Sequence, residues 1–271
     1  MRHSAIVAMM FWAAALALGA DAETARPASP RFVVLVRHYE ALKDALEAGD
    51  IVVAFCVRDP QVGEDGRTVP NGPPQWNEQK WLQQIEFLDA VKQEGLVKCV
   101  VFSTIQDLLD NLKRIPKDVT WVGYNSEPGM TPAEELKKTE ESVKRFADIA
   151  HARQLKVDWG PTLYQLLNEN DKPLANAKHV DRVGLQHQRL LENRGLDEFV
   201  GETRRRATII RKANPKCQVC AQVVIGRDGP DECIKALSAV AGDVDTVSAW
   251  TMRDPELQKQ VIQGVRGKKA P

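Results

Sequence analysis

"VKCVVFSTIQDLLDNLKRIPKDVTWVGYNSEPG", residues 97–129, holds one complete unit of the fold. Two apolar, β-branched runs, 97–103 and 119–124, flank a helical pattern at 104–115. Runs that are almost continuously apolar suit parallel strands covered on both faces. A strand, a helix and a second parallel strand close with a right-handed crossover. The second run then surfaces abruptly into Asn125, Ser126 and Glu127, and Pro128 and Gly129 break the chain. These residues favour turns. What a carboxylate does there depends on the other strands.

The same alternation extends in both directions. Further runs are "FVVLV" 32–36, "IVVAFCV" 51–57, "LKVDWG" 155–160, "VDRVGLQ" 180–186, "CQVCAQVVI" 217–225 and "VDTVSAW" 244–250. Helical patterns fill most gaps. "YEALKDALEAG" runs to Gly49, and "NEQKWLQQIEFLDAVKQEG" carries an apolar stripe of Trp81, Ile85, Leu88 and Val91. "TPAEELKKTEESVKRFADIAHAR" reads as one helix, capped by Thr131 with Pro132 in its first turn and Glu134 completing a capping box. "LDEFVGETRRRATIIRKAN", "GPDECIKALSAVAG" and "PELQKQVIQGV" follow. Only 161–178 supports no more than a short helix, and 58–75 is a long loop rich in Gly and Pro.

Eight strands alternating with helices predict an α/β fold, a (β/α)₈ TIM barrel in a single domain over 32–271. A doubly wound open sheet is the alternative, but no glycine-rich phosphate loop follows the first strand.

The amino terminus reads differently. A short basic start, the apolar run "AIVAMMFWAAALALGA" and "ADA" at 20–22 have the pattern of a signal peptide over 1–22, cleaved after Ala22. The run is shorter than the roughly 20 residues that span a bilayer. Residues 23–31 read as a flexible leader. A secreted or periplasmic protein is expected, with no membrane association after cleavage.

Lysine plus arginine number 37, as do aspartate plus glutamate, so the formal charge is zero. The one basic block, "RRR" at 204–206, reads as a solvated helix face, so no nucleic-acid partner is expected. Five cysteines permit at most two disulfides. Cys217 and Cys220 have C-x-x-C spacing, but a strand sends residues three apart to opposite faces. His38 and His187 fall at strand ends, yet neither H-x-H nor H-E-x-x-H spacing occurs. No metal and no cofactor are expected.

Active sites of such barrels lie where the strands end. Arg37, Arg58, Asn125, Glu127, Asp158, Trp159, Gln186, Gln188, Gln222 and Trp250 all fall at or near those ends, as does Tyr124. Gly123, Asn125 and Glu127 share one face of an extended strand, as do Gln186 and Gln188. Amides donate to and accept from hydroxyls, and an indole packs on the apolar face of a pyranose. A carbohydrate or another polar small molecule is therefore the expected ligand.

The arrangement resembles the barrel glycoside hydrolases. In their large retaining clan a Glu–Pro pair closes strand four and the Glu is the acid/base. "SEP" at 126–128 matches that pair, with Ser126 where the clan has Asn. The clan's nucleophilic Glu at the end of strand seven has no counterpart in "VVIGRDG", which offers only Asp228 further out. The chain also resembles the chitinase-like family 18, whose fourth strand ends D-x-D-x-E and whose eighth ends in a tryptophan under the sugar. Glu127 and Trp250 match, while Gly123 and Asn125 replace the two aspartates. The resemblance implies a glycoside hydrolase with Glu127 as general acid and Asn125 orienting the substrate group. Asp158 is the candidate second carboxylate, because glycoside cleavage ordinarily uses two. Arg37, Arg58, Tyr124, Trp159, Gln186, Gln188, Gln222 and Trp250 are the candidates for binding. The alternative is a catalytically silent barrel that binds a glycan or other polar ligand. A metal-dependent hydrolase is a third possibility. The sequence leaves substrate, linkage and oligomeric state open.

Overall fold

A computed structural model describes residues 30–55, 58–59, 75–226, 229–251 and 254–267. The stretch expected to be a signal peptide, most of the expected leader, Cys56, most of the Gly- and Pro-rich loop and Asp228 lie outside the described residues.

Eight parallel strands form a closed barrel. They are β1 (Arg31–Leu35), β2 (Ile51–Phe55), β3 (Val97–Phe102), β4 (Trp121–Tyr124), β5 (Lys156–Trp159), β6 (Arg182–Gln186), β7 (Gln218–Val224) and β8 (Thr246–Trp250). Each pairs with its sequence neighbour, and β8 closes onto β1 with Phe32 opposite Val247. The open-sheet alternative is thereby set aside. A small antiparallel ribbon joins Arg58–Asp59 to Gln75–Trp76.

The helices cover the outside. They are α1 (Tyr39–Leu42), α2 (Glu78–Ala90), α3 (Ile105–Asn111), α4 (Ala133–Lys137), α5 (Thr139–His151), α6 (Leu163–Asn168), α7 (Gln188–Arg194), α8 (Leu196–Ala213), α9 (Pro230–Val240) and α10 (Pro255–Val265). Asn77, Thr104, Thr162 and Asp254 cap α2, α3, α6 and α10 by accepting from backbone N–H groups. The main core lies between barrel wall and helices, where Trp81, Phe102, Phe146 and Phe199 are almost fully buried. Each such side chain contributes about 1.5–3 kcal/mol on burial.

The barrel interior is lopsided. One wall is apolar, with Val33, Val53, Val101 and Trp121 in a second, smaller core cluster. The other carries Asp158, Arg182, Gln186, Gln222 and Ser248. Gly123 allows close packing between the two: a Cβ there would stand 2.6 Å from Val101 Cγ2.

Three local expectations are corrected. Residues 131–153 form two helices, not one, broken at Lys138 (φ −111°, ψ 48°). Thr139 Oγ1 donates to Leu136 O (2.7 Å) and Ser142 Oγ to Glu135 O (3.0 Å), so side-chain hydroxyls compete for the last carbonyls of α4. Thr131 does not cap α4. Its hydroxyl donates to Ser103 O (2.8 Å) and accepts from the Glu127 N–H (3.0 Å), closing the turn after β4. The helix expected after β1 shrinks to α1 between two 3₁₀ turns. Its buried Tyr39, Leu42 and Ala45 recur every third residue, which is the 3₁₀ period.

The arginine run is corrected in part. Arg204 and Arg205 are exposed, but Arg206 is 1% exposed, on the inner face of α8 with Thr203 and Ile210. It donates to Asp171 Oδ1 (2.9 Å) and to His187 Nε2 (2.8 Å).

Candidate functional site

The turn after β4 is built by its own backbone. Met130 and Thr131 N–H groups both donate to Glu127 O, and Gly129 takes φ +86°, a conformation that favours glycine. Glu127 is thereby held at the barrel mouth, half-buried. A relay of amides fixes its side chain. Gln186 Nε2 donates to Gly160 O (3.1 Å) and to Asn125 Oδ1 (2.9 Å). Asn125 Nδ2 then donates to Glu127 Oε2 (2.9 Å).

Two spaces adjoin this relay. Beneath it a cavity of about 60 Å³ is lined by Asp158, Gln186, Gln222, Ser248, Trp250 and Phe55. It has room for a few waters and is too small for a sugar ring. Beside it an open groove of about 870 Å³ is lined by Glu127, Gln186, Gln188, Tyr164, Arg189 and Glu192, with Thr162 and Leu163 in its wall. That volume lies within the range of ligand sites.

The expected residues separate into groups. Asn125, Glu127 and Gln186 come together. Gln222 and Trp250 face the small cavity, where Trp250 meets Phe55 edge-on at 5.0 Å and its Nε1 is buried without a partner. Gln188 reaches the groove, but not along a strand face: β6 ends at Gln186, His187 turns, and Gln188 opens α7. Asp158 points inward and accepts from Arg182 Nη2 (2.9 Å). Arg182 is fully buried, with its guanidinium 4.7 Å from the centre of the Trp121 ring. Burial works against that charge, yet the Asp158 carboxylate outweighs it and holds the guanidinium above its ordinary range. Asp158 is therefore engaged as the counter-ion of a buried cation, and its Oδ1 has no partner.

Four expected binders lie elsewhere. Tyr124 faces outward, stacked on Phe146 at 4.8 Å, and its hydroxyl donates to Glu135 (2.8 Å). Trp159 is fully buried and donates from Nε1 to Ser126 Oγ (3.0 Å). Both alternate in phase with inward residues, which forces them out. Arg58 forms a two-pronged ion pair with Asp107 (2.7 and 2.6 Å), tying its ribbon to α3. Arg37 stands exposed in the 3₁₀ turn after β1 and lines neither space.

The histidines at strand ends are structural. His38 Nδ1 bonds to Gln258 Oε1 (3.0 Å), and burial lowers its pKa. His187 is buried against Thr203 and Arg206, and burial with the neighbouring arginines lowers its pKa to about 3. Cys220 belongs to the interior cluster and Cys217 to the outer core, as strand phase demands. Both are free, as are Cys99 and Cys233, and burial pushes the Cys220 thiol up to about 11. Among the described residues no group of three or more His, Cys, Asp or Glu could hold a metal ion. No described helix is long and apolar enough to cross a membrane.

Tyr164, Arg189 and Glu192 were missed in the sequence. The available signal was position: α6 and α7 follow strands five and six directly, on the face where such barrels carry their sites.

The sequence matches no model of a protein family and no curated protein. Solved structures do resemble it. The catalytic domain of a family GH18 chitinase from the fern Peteris ryukyuensis is 10% identical, with a TM-score of 0.58 over 87% of this chain and 98% of that one. A class V chitinase from Pseudomonas fluorescens Pf-5 is 11% identical, with a TM-score of 0.57 over 87% and 99%. Triosephosphate isomerase from Bartonella henselae is 8% identical, with a TM-score of 0.54 over 89% and 100%. The chain thus shares the (β/α)₈ barrel fold of these proteins. That an isomerase fits almost as well means the likeness carries fold alone.

Proposed function

We propose that this chain is an exported barrel that binds a carbohydrate in the groove at its mouth and hydrolyses a glycosidic bond, with Glu127 as general acid. The observation that carries the reading is the relay Gln186–Asn125–Glu127, which presents one carboxyl group at the edge of a ligand-sized groove. The groove has both halves of a sugar site. Tyr164 offers an aromatic face, and Gln186, Gln188 and Thr162 offer groups that donate and accept. The chitinase neighbours support the reading; a further one, from Pyrococcus furiosus, 9% identical with a TM-score of 0.54, was solved as catalytic-site mutants with chito-oligosaccharides. No metal or cofactor enters the chemistry proposed.

A second reading has specific support. Asn125 is neutral and Gly123 bears no side chain, so the carboxylates that precede the acid in family 18 are absent. A barrel that binds a glycan without cleaving it follows if no other group supplies the second half of the chemistry. Wild type and Glu127→Gln tested side by side for binding and turnover across a glycan panel separate the two. Turnover lost with binding kept supports the acid role. Turnover that survives excludes it. Binding without turnover in both supports the silent barrel, and no binding by either refutes the carbohydrate reading. Export is tested apart: secreted protein should begin at Glu23 or within a few residues.

A further inference from the structure

The relay from Gln186 through Asn125 to Glu127 is built of two amides, whose oxygen and nitrogen ends are alike in shape. Its polarity is fixed from one end. Gly160 O is a backbone carbonyl and can only accept. The Gln186 atom 3.1 Å from it must therefore be the amide nitrogen. That nitrogen also donates to Asn125 at 2.9 Å, so the Asn125 atom there must be oxygen. Asn125 is left with its nitrogen toward Glu127 Oε2, at 2.9 Å, and Oε2 must accept.

The barrel wall holds the relay in place. Gly160 N–H donates to Tyr124 O (3.1 Å), and Asn125 N–H donates to Phe102 O (2.9 Å). A side chain at position 160 would crowd it, since a Cβ there would stand 3.1 Å from Gln186 Nε2 and 3.5 Å from Asn125 Oδ1. Glu127 Oε1 makes no hydrogen bond with a described residue, and Glu127 lines the groove. Other charged side chains line these spaces: Asp158 in the cavity, and Arg189, Glu192 and Arg194 in the groove. Among the described residues none of them hydrogen-bonds to a relay atom; Asp158 is bound to Arg182 and Arg194 to Glu198.

Resting on the hydrolytic reading above, we propose that Gln186 is the positioning residue of the acid. Through Asn125 it reserves Oε2 as an acceptor and confines the acid proton of Glu127 to Oε1, the oxygen open to the groove. The proton on Oε1 goes to the departing glycosidic oxygen as the C–O bond breaks. Water gives its hydroxyl to the anomeric carbon, and its other proton passes to solvent. Oε1 regains a proton from that solvent, since neither amide of the relay can carry one. The same polarity settles what Glu127→Gln presents. Its amide oxygen turns to Asn125 and its NH₂ to the groove, a donor where the acid's hydroxyl stood.

Gln186→Glu is an isosteric change that reverses the relay. The new carboxylate cannot donate, so it draws Asn125 Nδ2 toward itself and turns Asn125 Oδ1 to Glu127, where Oε2 then needs the proton. The activity test uses a set of aryl glycosides and soluble polysaccharides. For any substrate the wild type cleaves, Gln186→Glu should lower kcat about 10–10²-fold. KM should change little, because an acceptor oxygen remains at position 186. The alkaline limb of the kcat profile should move to higher pH. Gln186→Met, which removes the bond without reversing it, should lose less and move the limb less. A Gln186→Glu enzyme within twofold of wild type and with an unmoved limb overturns the positioning role, as does a Gln186→Met enzyme worse than Gln186→Glu. Neutron diffraction from wild-type crystals in D₂O reads the polarity without any substrate. Deuterons on the Asn125 atom that faces Glu127 support the assignment, and a bare oxygen there overturns it. Wild type that cleaves nothing in the set overturns the hydrolytic reading and the positioning role with it, while the neutron map still decides the polarity.

Discussion

Val101 fills the space that any side chain at position 123 would need, since a Cβ on Gly123 would approach Val101 Cγ2 to 2.6 Å. An aspartate cannot enter there without moving the apolar wall of the barrel. Gly123→Ala should therefore destabilise by about 1–3 kcal/mol through overpacking. Adding Val101→Ala should recover part of that loss, because residues in contact couple. Urea unfolding of the two single variants and the double variant checks it. Strictly additive losses would show that the wall relaxes without Val101.

The Arg182–Asp158 pair has a different consequence. Among the described residues Arg182 has no other counter-ion, and it is fully buried. Removing the carboxylate leaves an uncompensated buried charge, at about 3–5 kcal/mol. Asp158→Asn should therefore lower stability sharply, and any fall in binding or turnover should track the unfolded fraction. An Asp158→Asn protein as stable as wild type but inactive would return Asp158 to the chemistry.

The strands were legible because parallel strands covered on both faces are apolar on both faces. Each of the eight expected runs matches an observed strand to within two residues at either end. The face of a strand-end residue needed phase as well as position. If Asn125 and Glu127 point inward, Tyr124 between Gly123 and Asn125 must point outward, and the same step moves Trp159 away from Asp158. That inference was available from the period of two. Arg206 was equally available from the helical spacing of Thr203, Arg206 and Ile210. Glu192 was available only as a position, on the helix after strand six; that its side chain reaches the groove depends on how α7 docks beside β7, and no local pattern encodes that contact.

His187 makes stability depend on pH. Its folded pKa, about 3, lies below the ordinary value of 6.5 because burial and then Arg206 and Arg205 disfavour the imidazolium. Below pH 6.5 the unfolded chain takes up a proton that the folded chain refuses. The contribution is thus fully present above 6.5 and falls as pH drops toward 3, at about 1.4 kcal/mol per unit once well below 6.5. Between pH 7 and pH 5 the wild type should lose roughly 2 kcal/mol from this group. His187→Gln should be less stable at pH 7 but should show a shallower loss on acidification. Equal slopes in the two proteins would remove His187 as the cause.

Tyr164 and Trp250 separate the two places a ligand could sit. Tyr164 is 71% exposed on the groove wall. Trp250 faces the small central cavity and packs on Phe55. Tyr164→Ala removes a surface ring, so stability should change by no more than about 0.5 kcal/mol. If a sugar stacks on that ring, affinity should fall by about 0.5–1.5 kcal/mol, or roughly 2- to 12-fold in Kd. Trp250→Ala should lower stability as well, because the indole belongs partly to the barrel packing. Its effect on binding must therefore be read at temperatures where the variant is fully folded. Calorimetric titration of one glycan into both variants decides the location. Weakening by Tyr164→Ala places the ligand in the groove, within reach of Glu127 and Glu192. Loss confined to Trp250→Ala would place it over the small cavity, beside Asp158 and Gln222 and away from the groove.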